Sequence, residues 1–431
     1  MKSIWQKNVK IPSFPQLKND IKTDVLIIGG GLAGILTAHE LHKRNIPYIL
    51  VEKGRICEGT SGKTTAKITF QHGLIYGRLL KNFGCEKARL YLEANKTAFE
   101  KYSELCKNID CDFELKDNYV YSTSNRKKLE DELAALQKIG YTAEFCEHPR
   151  LPVKTCGAVK FRNQAQFHPL KFVAEISKDL YIFENTFVRE MKGTTAITDN
   201  GNIKAKKVIV ATHFPFINKH GLYPMKLYQH RSYVIALKNA QKLDGMYVDE
   251  SKTGYSFRNY GKLMLLGGGD HKTGKSGGNW EELRKFASIN YPDSSEICCW
   301  AAQDCVSLDE VPYIGNYSAV TPNLFVASGF NKWGITGSML AATMLCDAVT
   351  KNFNCYSKLF SPSRNMLKPQ LIINGFESII NLLNVSEKRC PHLGCALKWN
   401  KAEHSWDCPC HGSRFSENGK VIDNPANGDL K

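Results

Sequence analysis

Hydrophobic and polar positions along this chain follow more than one period. Asp24 to Ile28 is a short apolar run that predicts a buried parallel strand. Ile35 to Arg44 predicts a helix, and Tyr48 to Val51 a second strand. Leu92, Phe99, Tyr102, Leu105 and Ile109 fall at helical spacing, as do Leu129, Leu133, Leu136 and Ile139, with Gly140 as a C-cap. Between 216 and 300, RSYVIALK and GKLMLLGGG predict strands, and QLIINGFESIINLLN later predicts a helix. A strand, helix and strand in succession predict an α/β architecture.

The first strand runs into Gly29, Gly31 and Gly34, the pattern G-x-G-x-x-G. Gly29 permits a tight turn, Gly31 lets backbone approach a pyrophosphate, and Gly34 lets the helix pack closely on the strand. The positive end of that helix would face the phosphates. Glu52 follows at the reach of a ribose hydroxyl. With strand, helix, strand and acid in register, these residues predict a dinucleotide site. GDHKTGKS, Gly269 to Ser276, also matches the phosphate-loop pattern. That chemistry needs a helix starting at Lys275 and Ser276, whereas Gly277, Gly278 and Asn279 disfavour one, so the match reads as chance.

Cys390 to Phe415 packs four cysteines and three histidines into 26 residues. Cys390, Cys395, Cys408 and His411 would make a tetrahedral zinc site. C-x-H at Cys390 and His392 with C-x2-H at Cys408 and His411 would instead give two thiolates and two imidazoles for a Rieske 2Fe–2S cluster.

A chain of 431 residues is too long for one core and implies two or three domains. The start lacks the apolar core of a signal peptide, and no stretch of about 18 apolar residues would span a membrane. Fifteen cysteines without a secretion signal point to the reducing cytoplasm. The net charge of +16 comes without a compact basic run or aromatic–basic alternation, so no nucleic-acid partner is expected.

The amino-terminal motifs resemble the D-amino-acid oxidase and glycine oxidase family of FAD-dependent oxidoreductases. GTSGKTTAKITFQHG resembles its cofactor-wrapping loop, and KVIVATHF a strand beside the cofactor. SLDEVPYIG and NLFVASGFNKWGITGSMLAATML resemble its later flavin motifs. CPHLGC and CPCHGS resemble the two cluster loops of Rieske proteins, above all those of quinol-oxidising complexes.

These resemblances imply a glutathione-reductase-type, Rossmann-like FAD domain, an α+β substrate domain and a small all-β Rieske unit. The flavoprotein would span 1–385, with FAD-binding parts near 20–80, 160–215 and 301–350. The substrate domain would take 81–159 and 216–300, with closing helices at 351–385 and the Rieske unit at 386–431. Gly29, Gly31, Gly34, Glu52, Lys53, Thr60, Ser61, Thr64 and Thr65 would meet FAD. So would Val188, Ala211, Thr212, Gly329, Gly334, Ile335 and Thr336.

Cys390, His392, Cys408 and His411 would hold the 2Fe–2S cluster, and Cys395 and Cys410 would form a disulfide. His404 would face solvent. Arg231 and Tyr233 are candidate substrate contacts, and Cys305 is not expected to bond the flavin. The implied activity is oxidation of an amine or amino acid C–N bond, with electrons passing singly to a redox protein or quinone. The alternative is an electron-transfer flavo-iron-sulfur protein with no small-molecule substrate.

Overall fold

The computed structural model describes residues 1–7, 9–251, 254–364, 380–381 and 388–430. Among these residues there are three sheets. In the first, strand Ile21–Ile28 pairs in parallel with Tyr48–Val51 on one side and Gly201–Val210 on the other. Leu324–Ser328 and Tyr313–Asn316 extend it beyond Gly201–Val210, and Ile182–Phe183 closes the opposite edge. Val25 to Ile28 are buried, as a continuous apolar run in a parallel sheet requires. Helix Leu32–Lys43 follows the first strand and packs against helix Gly334–Thr350.

The second sheet runs in the order Ser295–Ser307, Leu227–Lys238, Leu263–Lys272, Ser256–Tyr260, Met246–Asp249, Glu114–Tyr121, Ala158–Gln166 and Lys67–Ile68. The expected domain boundary at 159/160 cuts the Ala158–Gln166 strand. That strand lies wholly in this sheet, because it pairs antiparallel with Glu114–Tyr121 along its length. Helix Tyr76–Cys106 bends at Gly84, where φ is +82°. Helix Arg126–Lys138 starts at Asn125, whose side chain accepts from Lys128 N at 3.1 Å. Gly140 follows its end with φ +86°, the left-handed cap. Helix Asn279–Asn290 begins beyond Lys275 and Ser276, so the phosphate-loop match lacks the helix its chemistry needs.

The third sheet is an antiparallel meander of Lys398–Asn400, Ser405–Asp407, Arg414–Ser416 and Val421–Asp423. Its buried core is Cys390, Cys395, Leu397, Cys408, Cys410, Phe415 and Ala426. Such a core is too small to stand alone without a metal, a bridge or a docking partner. Of the expected closing helices, Ser357–Phe360 is a single turn, and 365–379 and 382–387 lie outside the described residues. No helix among the described residues is long and apolar enough to cross a membrane.

A buried ion network ties the meander to the second sheet. Arg414 donates to Asp407 Oδ1 at 2.9 Å, Glu403 Oε2 at 2.9 Å and Asp423 Oδ2 at 3.1 Å. From the second sheet, Arg231 Nε donates to Glu403 Oε1 at 2.9 Å, and Arg231 Nη2 reaches Glu403 Oε2. The Tyr233 hydroxyl adds a bond to Glu403 Oε1 at 3.0 Å. Burial pushes the Glu403 carboxyl up, but Arg231 and Arg414 outweigh it and hold the group below its ordinary range.

Removing one partner of such a network leaves buried charge uncompensated. Arg414→Met should weaken the meander by about 3–5 kcal/mol. Faster hydrogen exchange of the 398–423 amides is the expected result. Unchanged protection would mean that the network does not hold the unit.

Candidate functional site

The turn after Ile28 shows why glycine is needed at two positions. Gly29 has φ +112°, and a Cβ there would lie 2.5 Å from the Ala211 carbonyl oxygen. A Cβ on Gly34 would lie 1.9 Å from the Gly29 oxygen, so the helix could not pack onto the strand end. Gly31 differs, since its Cβ would meet only Ser61 Oγ, at 3.3 Å, and it faces a cavity. Glu52 Oε2 accepts from Gly30 N at 2.7 Å, and Glu52 Oε1 accepts from Gly54 N at 3.0 Å. Burial pushes this carboxyl up against the pull of those two amides.

The cavity is about 660 Å³. At the glycine turn it is lined by Gly29, Gly31, Glu52, Lys53, Thr60 and Ser61. Thr64, Thr65, Val188, Ala211 and Thr212 continue the wall, and Gly334 and Ile335 stand at the start of helix Gly334–Thr350. Three of the expected residues lie behind the surface. Gly34 is under the turn, and Gly329 packs against Leu227 and Ser307. Thr336 spends its hydroxyl on Thr69 O at 2.7 Å. His72 stacks on Trp333 with ring centroids 5.0 Å apart. Burial pulls its pKa down to about 3, so this imidazole is neutral at pH 7.

Strand Leu227–Lys238 carries two different sites on its two faces. Tyr228, His230, Ser232 and Val234 line the cavity. Gln229 and Arg231 point the other way, into the meander unit. The Tyr233 ring touches the cavity wall, but its hydroxyl is committed to Glu403. Both candidate substrate contacts are therefore bound up in docking. His230, Ser232, Asp270, Asp304 and Lys332 were missed as cavity residues. Strand alternation from Tyr228 is the signal that would have found His230 and Ser232, but nothing comparable marks the other three.

The meander presents two loops built alike. Gly394 N donates to Cys390 O and Gly412 N to Cys408 O, each at 2.9 Å. Cys390 and Cys408 are both buried, in the core of the meander. The rings of His392 and His411 sit 4.9 Å apart at 84°. Nδ1 of each is buried without a hydrogen-bond partner. Burial pulls His392 down to about 3 and His411 down to about 4, so both are neutral and have a lone pair to give.

Two thiols and two facing orphaned imidazole nitrogens fit a Rieske cluster. The zinc alternative would leave His392 Nδ1 buried with nothing to bind. The sulfurs of Cys395, Cys408 and Cys410 lie within 4.8 Å of one another. Cys395 and Cys410, the pair expected to form a bridge, are thus neighbours, unbonded in this structure. His404 is exposed, at φ +50° in the Asn400–Ser405 turn.

The cluster loops sit on the outer side of the cavity wall. Gln229 Nε2 donates to His411 O at 2.8 Å, and Gln303 Nε2 donates to Gly412 O at 2.8 Å. His392 Nε2 meets Asn218 Oδ1 at 2.8 Å. Lys53 Nζ donates to Ile422 O at 2.8 Å. Ile422, Asp423, Asn424 and Asn427 themselves line the cavity. Gly274, inside the phosphate-loop look-alike, seats Pro409, and a Cβ there would lie 2.6 Å from Pro409 Cα.

Fold and site define a two-cofactor oxidoreductase, with a dinucleotide cavity and a two-Cys, two-His centre on one scaffold. Residues 24–348 match the FAD dependent oxidoreductase family, and 376–431 match the Rieske [2Fe-2S] domain. The chain belongs to the FAD dependent oxidoreductase family and carries a C-terminal Rieske domain; the first binds FAD and the second a 2Fe–2S cluster.

It is 35% identical to YhfW of Bacillus subtilis (strain 168), a Rieske 2Fe-2S iron-sulfur protein by name. That match covers 99% of this chain and 96% of the relative. The cytochrome b6-f complex iron-sulfur subunit of Nostoc punctiforme is 57% identical over 37 residues, which are 9% of this chain and 21% of that subunit. Glycine oxidase from Geobacillus kaustophilus superposes with a TM-score of 0.66 at 20% identity, covering 80% of this chain and 99% of that one. L-proline dehydrogenase from P. horikoshii also gives 0.66, at 15% identity, covering 81% and 98%.

Gly31→Asp should leave the fold intact, since its Cβ has room, yet abolish FAD binding by placing a carboxylate against the pyrophosphate. Gly34→Ala should instead destabilise the domain. A Gly31→Asp protein that keeps its flavin spectrum would overturn the assigned phosphate turn. Ser413 gives a separate prediction: its buried Oγ accepts from Ala426 N at 3.0 Å, which leaves the hydroxyl proton to be donated towards the cluster sulfurs. Hydrogen bonds to ligand sulfur raise a cluster's potential. Ser413→Ala should lower the midpoint by some tens of millivolts, about a several-fold change in a one-electron equilibrium. An EPR-monitored redox titration checks it.

Proposed function

We propose that this protein oxidises a C–N bond of a small amine or amino acid at FAD and passes the electrons one at a time through the Rieske cluster to an external acceptor. FAD supplies two-electron chemistry and the 2Fe–2S centre one-electron chemistry.

One observation carries the reading. The Cys408–Ser413 loop is bonded to Gln229 and Gln303, on the far side of the strands whose near side lines the FAD cavity. Gln229 and Gln303 are buried, and further bonds join the two sides. His213 lines the cavity and its Nε2 meets Gln229 Oε1 at 3.1 Å. Asn424 Nδ2 donates to Thr212 O at 2.6 Å, joining the meander to the cavity wall again. These bonds tie the cluster loop directly to the cavity wall, which supports transfer between the two sites. Around the cavity, Tyr228, His230 and Ser232 offer polar groups beyond those a cofactor alone would need. Glycine oxidase and L-proline dehydrogenase share this fold, which makes amines and amino acids the substrate class to test first.

The test is anaerobic addition of single amines and amino acids to pure protein. Bleaching of the flavin, followed by a Rieske EPR signal in the same sample, is the expected outcome. Cys408→Ser should keep the bleaching and lose the signal, with slow reduction of one-electron acceptors. A protein whose flavin responds only to another redox protein would overturn the substrate reading and favour an electron relay.

A further inference from the structure

The cavity wall away from the glycine turn holds an unusual set of charges. Lys332 Nζ is paired with Asp270 Oδ2. Asp304 acts electrostatically on the same ammonium. Asp304 Oδ2 also accepts from Ser232 Oγ at 3.0 Å. All four residues line the cavity. The strand pattern puts them there: Ser232 and Asp304 lie on the inner face of neighbouring strands, and Asp270 on the next strand over. Two carboxylates thus face one ammonium at the cavity wall, with the Lys332 side chain 36% exposed and that of Asp270 10% exposed.

The balance is incomplete at a definite atom. Asp270 Oδ1 is buried and has no hydrogen-bond partner, on a side chain only 10% exposed. A buried carboxylate oxygen left unpaired is costly, and a cationic donor offsets that cost. Burial also pushes the Asp304 carboxyl up, as expected where counter-charge is short. Three other cations of the region have contacts of their own. Arg78 pairs with Glu310 at 2.5 Å, and Arg231 is taken by Glu403 on the opposite face of the sheet. Lys67 belongs to the Gly59–Gly73 loop, with its Nζ 3.3 Å from Thr65 Oγ1.

We propose that Asp270 and Asp304, steadied by Lys332 and Ser232, form a cation subsite that binds the substrate through its positively charged amine. The substrate class is then a protonated primary or secondary amine. A carboxylate on it would not be what this wall recognises. This deepens the proposed C–N oxidation and rests on it only for the reaction, not for the binding.

The probe is tert-butylammonium, a primary ammonium with N–H donors and no α-hydrogen to lose, compared with acetate at matched ionic strength on the FAD-loaded full chain. Binding is read from perturbation of the visible flavin spectrum and from the melting temperature. tert-Butylammonium should bind and acetate should not. Asp270→Asn and Asp304→Asn, each with full flavin content, should weaken cation binding on the order of tenfold, as expected for losing a charged partner. Asp304→Glu should restore part of it.

Tight acetate binding with no cation binding would overturn the subsite. So would two Asn variants that bind the cation as well as the parent does. If an Asn variant fails to fold, the cation-against-anion comparison on the parent protein still decides. If the cation binds but no amine bleaches the flavin, the proposed reaction falls and the subsite stands.

Discussion

The period of two along strand Leu227–Lys238 is the constraint on which the rest of this structure depends. Successive side chains of a strand point to opposite faces. Here both faces are occupied, one by the FAD cavity and one by the Rieske unit. Tyr228, His230 and Ser232 serve the first; Gln229 and Arg231 serve the second. A one-residue slip in register would exchange the two sets and ruin both sites at once. The neighbouring strand Ser295–Ser307 obeys the same rule, with Gln303 bonded to the cluster loop and Asp304 in the cavity. The thin wall between two redox centres is thus a pair of strands whose alternation does the sorting.

That arrangement also explains how so small an iron–sulfur unit is held. Its own core is a few residues around Phe415, most of them the cysteines themselves. The remaining hold comes from outside: the Arg231–Glu403–Arg414 network, the two glutamines, Lys53 on Ile422, and Gly274 beneath Pro409. Desolvating the ions of such a network is costly, so its worth lies less in net stability than in permitting one docked geometry. Arg231 is the telling residue. As a guanidinium on a strand over the cofactor it looked like a substrate clamp, yet its side chain is 3% exposed and spent on Glu403.

The parts of the chain that were readable were those where local chemistry demands particular residue types. The glycine turn was legible because Gly29 and Gly34 admit no side chain, and the paired Cys and His loops because few other arrangements use that spacing. Strand Tyr48–Val51 carried its own apolar signature. Illegible was anything set by which face a residue takes once two sheets and a third unit meet. Arg231 was placed on the wrong side for that reason, and the Asp270, Asp304 and Lys332 group was invisible because its members are 28 to 62 residues apart in sequence. The Ala158–Gln166 strand was cut by an expected boundary for a related reason: pairing with Glu114–Tyr121 decides its sheet, and pairing leaves no mark in a single strand.

The orientation of the two histidines adds a last step. His392 spends Nε2 on Asn218, and the His411 ring lies edge-on to Phe214 at 6.3 Å. Both residues belong to the segment that leaves the first sheet just after Ala211 and Thr212, which line the FAD cavity. The imidazole edges therefore look into the flavoprotein, whereas Pro391 and Leu393 on the same loop are exposed. The histidine side of the centre thus faces the flavoprotein, and the Pro391–Leu393 surface faces away from it.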